Sequence, residues 1–62
     1  MQVTTNIRRL LEVEGLTVAT AARQAGIAER TFHTRLKNPK GWTLGELDRL
    51  AEVLHVQRSE FG

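Results

Sequence analysis

The stretch that most constrains this chain runs from Thr17 to Lys37, TVATAARQAGIAERTFHTRLK. Its first half places Val18, Ala21, Ala22 and Ala25 at helical spacing, a flat face of small residues. Its second half sets Arg30, His33, Thr34, Arg35 and Lys37 around two large apolar residues, Phe32 and Leu36. Gly26 stands between them, where a positive φ would exclude most other residues. The pattern predicts two short helices joined by a tight turn. Small side chains let a neighbouring backbone approach closely, and Ala22 is expected at the crossing.

The flanking segments supply the rest of an all-α fold. Thr4 or Thr5 is expected to cap a first helix that carries Ile7, Leu10 and Leu11 inward and stops at Gly15. Arg8 has two readings, an i, i+4 pair with Glu12 or a grip on phosphate together with Arg9. Thr17 is placed to cap the second helix, and Ile27 to plug the core from the turn. The third helix is expected over Ala28 to Asn38, stopped by Pro39. A short loop, Pro39 to Trp42, leads to Thr43 and Glu46, spaced as a capping box. Behind it Leu44, Leu47, Leu50, Ala51 and Leu54 form an apolar stripe, with Glu46, Asp48 and Glu52 outside. A last turn, capped by Ser59, ends in Phe61 as either a core or a dimer contact. Trp42 is expected to roof the core, with base stacking or an indole donation to phosphate as the rival roles.

Composition narrows what such a bundle can do. Sixty-two residues make one domain with one small core. Without cysteine there is no disulfide and no thiolate zinc site, and His33 and His55 are too far apart in sequence to suggest a metal site. No nucleophile–base pair or glycine-rich phosphate loop is apparent, so neither catalysis nor a cofactor or small-molecule substrate is expected. No segment reads as a membrane span or signal peptide, and a cytoplasmic protein is expected. The net charge is only +2, but residues 23–40 hold Arg23, Arg30, Arg35, Lys37 and Lys40 against Glu29 alone. The remaining residues carry four cations and six carboxylates. This asymmetry marks one side as facing a polyanion.

On the third helix Arg30, Thr34 and Lys37 fall at i, i+4, i+7 opposite Phe32 and Leu36. Arginine suits guanine and threonine offers a hydroxyl and a methyl, while Lys37 and the loop's Lys40 suit phosphate. His33 lies on the flank. Glu29 either accepts from a cytosine amino group or serves the helix, through its macrodipole and an i, i+4 pair with His33. The acidic face of the fourth helix is expected to stay away from DNA.

Gly15-Leu16-Thr17, then Ala22, Gly26 and Phe32, then TLGELDRLAEVLHV over residues 43–56 with Ser59-Glu60-Phe61 behind it, resemble the Cro and lambda-repressor type of helix-turn-helix domain, also called the XRE family. The likeness runs from Ile7 to Phe61. It implies a compact bundle of five short helices, with the motif at helices 2 and 3. It further implies a transcriptional regulator of Cro or repressor type, phage or prokaryotic, bound to palindromic operator DNA as a homodimer. The base-contacting positions it implies are Ala28, Glu29, Arg30 and Thr34. Backbone contacts fall on Thr17, Val18, His33, Arg35, Lys37 and Lys40, and dimer contacts on Leu54, Val56 and Phe61. Three positions depart from the family pattern. Val18 replaces a glutamine, Ala28 replaces a hydroxyl cap, and Arg35 stands where an apolar residue is usual, which implies a slightly rotated third helix. Some domains of this fold are protein-interaction modules, such as antitoxin-like or regulator-binding subunits, and that is the alternative function.

Overall fold

The structure is a computed structural model that describes residues 3–62. Four α-helices make up most of it: α1 (Val3–Glu14), α2 (Val18–Ala25), α3 (Glu29–Lys37) and α4 (Leu44–Leu54). Two 3-10 turns, Pro39–Gly41 and Arg58–Phe61, complete the chain, and no strand occurs among the described residues. The expected fifth helix is thus a single 3-10 turn. It follows Gln57 with no side-chain cap, so Ser59 does not start it.

Three of the helices end in the same way. Gly15, Gly26 and His55 each adopt the left-handed conformation, with φ of 69°, 70° and 58°. The residue after each donates its N–H back to the carbonyl five positions earlier: Leu16 to Leu11 at 2.9 Å, Ile27 to Ala22 at 2.9 Å and Val56 to Ala51 at 3.1 Å. These are Schellman closures, in which an apolar residue just past the helix folds onto one in its last turn. Glycine supplies the conformation at two of them. At the third a histidine adopts it, so nothing in the composition marks the end of α4.

The N-termini divide the same way. Thr17 caps α2 by accepting from the Thr20 amide at 3.2 Å. Thr43 and Glu46 form the full capping box on α4. α1 begins at Val3, ahead of both threonines expected to cap it. Thr4 serves α3 instead, its hydroxyl donating to the Leu36 carbonyl at 2.6 Å.

The core is built from all four α-helices together with Ile27, Trp42 and Phe61. Phe32, Ile7, Leu50 and Leu54 are its largest fully buried side chains. Burying each stabilises the fold by roughly 1.5–3 kcal/mol relative to leaving it exposed. Ala21, Ala22 and Ala25 of α2 are all buried, as is Ala51 of α4, and α2 packs chiefly on α4 and α3. The small face therefore works across two neighbours, not only at the Ala22 crossing. Trp42 meets Phe32 edge to face with ring centroids 5.3 Å apart. Its indole nitrogen is buried without a partner, so it has no access to phosphate or to a base. Leu44, the first residue of α4, departs from the apolar stripe and is 66% exposed.

Candidate nucleic-acid interface

α3 buries Phe32 and Leu36, leaves Thr31 and Arg35 half-buried and turns its other residues outward. Glu29, Arg30, His33, Thr34 and Lys37 are all exposed, as are Ala28 before the helix and Lys40 in the following turn. No side chain caps the N-terminus of α3, because Ala28 occupies the cap position and has no acceptor. The first-turn amides therefore receive no acceptor from the cap position. His33 and Glu29 approach across one helical turn, Nε2 to Oε2 at 3.5 Å, in line with the i, i+4 reading. Thr34 donates its hydroxyl to the Arg30 carbonyl at 3.0 Å. It therefore offers the outside an acceptor oxygen and a methyl group rather than a donor.

Side chains of other helices fix the C-terminus of α3 and the end of α2 that precedes it. At the C-terminus of α3 Thr4 of α1 engages the Leu36 carbonyl. At its N-terminal side Arg49 of α4 donates Nε to the Ala25 carbonyl at 2.8 Å, pinning the end of α2 where the chain turns at Gly26. A cation at a helix C-terminus also complements the helix dipole. Arg49 escapes a sequence reading because it lies among Glu46, Asp48 and Glu52, on a face that reads as plain acidic surface. The only available signal was a lone cation in that acidic run.

Arg35 sits apart from the outward face. Its Nε donates to Glu46 Oε1 at 3.1 Å, and the same oxygen accepts from the Thr43 amide at 3.0 Å. The Thr43 amide holds the Glu46 carboxyl below the usual carboxylate range; burial opposes this, and Arg35 adds to it. Gly41 lies beneath the guanidinium, where an added Cβ would come within 3.3 Å of Nη1. A single arginine thus ties α3 to α4.

The model of the Cro/C1-type HTH DNA-binding domain matches residues 6–61. The chain belongs to that family. It shows no significant match to a curated protein or to a solved structure.

Within this Cro/C1-type domain the expected site residues separate into groups. Ala28, Glu29, Arg30 and Thr34 lie together along the exposed N-terminal part of α3, and Lys37 and Lys40 follow at its other end. Thr17 is committed to capping α2, and Val18 is half-buried against the core. Val18 also lines a shallow groove of about 260 Å³ with Arg8, Leu11, Glu12 and Leu16. Arg8 and Glu12 share that groove but form no ion pair. The dimer assignment needs correction. Leu54 and Phe61 are only 1% and 2% exposed and have no surface to give a second subunit. Val56 is half-buried as the apolar residue of the α4 closure. No group of acidic, histidine or cysteine side chains suited to a metal occurs among the described residues. Nor is any described helix long and apolar enough to cross a membrane.

Proposed function

We propose that this domain regulates transcription by sequence-specific binding to double-stranded DNA, with α2 and α3 as its helix-turn-helix and α3 seated in the major groove. The observation that carries this reading is the outward edge of α3, where Arg30 and Thr34 stand exposed between uncapped helix amides and the cations Lys37 and Lys40. In this reading Arg30 and Thr34 contact base edges, with Ala28 and Glu29 beside them at the helix start. Lys37, Lys40, His33 and the start of α2 at Thr17 and Val18 meet the backbone. The back-bonded Thr34 suits the methyl of a thymine or a base amino group, because its own proton is engaged.

The domain acts in this reading as a homodimer on a palindromic operator. Its longest dimension is 24 Å, less than the ~34 Å between successive faces of one DNA turn, so one copy reaches a single half-site. Selection of bound duplexes from a random library tests the proposal directly, and two half-sites about one turn apart are expected. With about four or five phosphates neutralised, log K should fall against log salt with a slope near −4. Arg30→Ala should relax preference at one base pair at a cost of about 1–3 kcal/mol, whereas Lys37→Ala should weaken all sequences alike. Binding indifferent to salt would refute the reading.

A further inference from the structure

Of the arginines and lysines on α3 and its turn, all but one are exposed. Arg35 is the exception, with 26% of its side chain exposed and its partner Glu46 at 13%. The contact uses Nε alone, and the two Nη groups have no hydrogen-bond partner among the described residues. Gly41 lies close by, where an added Cβ would meet Nη1 at 3.3 Å. The fork is therefore fixed at Nε, with both Nη groups left without a partner. It stands on the same end of α3 as Lys37 and Lys40.

A free surface arginine loses up to about 2 kcal/mol of rotamer freedom when it grips an anion. One already fixed by a carboxylate has lost that freedom in the folded domain, and its planar pair of Nη donors matches two phosphate oxygens. From this geometry we infer that Arg35 is a pre-set phosphate clamp on the DNA backbone and that Glu46 is its positioning residue. The inference rests on the DNA-binding reading above and adds a second role to Glu46, beyond capping α4. A side chain at Gly41 would crowd the guanidinium, with a Cβ 3.3 Å from Nη1. An acid thus strengthens binding to a polyanion, which reverses the usual sign of its charge.

That reversal supplies the test. Affinity for a short labelled duplex of randomised sequence is measured across a salt series for the whole chain and its variants, with circular dichroism confirming the fold of each. Glu46→Met removes one negative charge and the acceptor, and is expected to weaken binding about tenfold, the loss typical of one charge-assisted hydrogen bond. Glu46→Gln keeps an acceptor oxygen and should recover most of that loss. Thr43→Ala weakens the cap of α4 without touching Arg35, so it should lower thermal stability and leave affinity unchanged. Arg35→Lys keeps the charge but not the fork and should also bind about tenfold more weakly, with no further loss on adding Glu46→Met. Binding by Glu46→Met as tight as or tighter than the parent, or a loss in Thr43→Ala equal to that in Glu46→Met, overturns the inference while the parent's salt-dependent binding leaves the DNA reading standing. Absence of salt-dependent binding by the parent chain overturns both.

Discussion

Replacing Gly26 isolates one term in the geometry that sets α3 against α2. The residue sits at φ 70°, ψ 30°, and a Cβ built there meets nothing within 4 Å. Space is therefore not at issue, and the whole cost of a side chain is backbone conformation. An L-residue in the left-handed region costs roughly 1–2 kcal/mol, and Gly→Ala recovers about 0.4–1 kcal/mol by restricting the unfolded chain. Gly26→Ala should then destabilise by about 1 kcal/mol, which lowers the melting temperature by about 4–8 °C in a domain of this size. Asparagine is larger but tolerates this conformation, so Gly26→Asn should cost about half as much. Gly26→Val, β-branched, should cost about 2 kcal/mol or more. Urea unfolding followed by Trp42 fluorescence reads all three, because the indole is buried against Phe32 and reports loss of the core. If the cost instead rises with side-chain volume, alanine least and asparagine above it, the open space around Gly26 and the reasoning built on it are wrong.

His55 offers the converse experiment. It holds the same conformation at φ 58° without being glycine, so His55→Gly should stabilise the domain by about 0.5 kcal/mol in the same urea assay, the relieved strain slightly exceeding the added unfolded freedom. Arg49→Met keeps most of the aliphatic stem and loses the donation to Ala25. It should cost about 1 kcal/mol, and hydrogen exchange should speed up first in the last turn of α2. Acid should act through Glu46. Its carboxyl is held below the usual value of 4.5, so its contribution is complete above that value and is lost as pH falls through the lower folded one. The urea midpoint should therefore drop on titration from about pH 6 to about pH 3, and the Glu46→Gln chain should show a flatter dependence; identical slopes would show that Glu46 is not the responsible group.

What could be read from the sequence were features decided within one turn of chain. Gly15 and Gly26 end helices, Thr17 and the Thr43–Glu46 box start them, and Phe32, Leu36 and Leu50 point inward at helical spacing. Each of these depends on neighbours three to five residues away, which the sequence displays. Thr4 failed for a matching reason. A threonine near a helix start reads as a cap, and only the fold reveals that its hydroxyl meets Leu36, thirty-two residues on. The end of α4 was obscured by His55, yet the apolar pair around it was visible. Ala51 and Val56 repeat the spacing of Leu11 and Leu16 and of Ala22 and Ile27, so the closure could have been found by pattern once glycine was no longer required.

The site divides along the same line. Arg30, Thr34 and Lys37 share a face because helical geometry places them there, and no tertiary contact is needed to bring them together. The ties that hold α3 and the end of α2, Arg35 to Glu46 and Arg49 to Ala25, join side chains eleven and twenty-four residues from their partners. Both arginines read as surface charge, one counted toward the polyanion face and the other lost among carboxylates. The misplacement of Leu54 and Phe61 has a different cause, rooted in size. A small helical bundle has so little interior that Leu54 and Phe61 are taken up in closing it. Phe61 returns to the core beside α1, and Asn6 fastens it by donating to the Phe61 carbonyl at 3.1 Å. An aromatic at the end of a large domain is free to serve a partner. In a domain this small the same residue is taken up by the fold itself, and an interface must be sought among side chains that the core leaves outside.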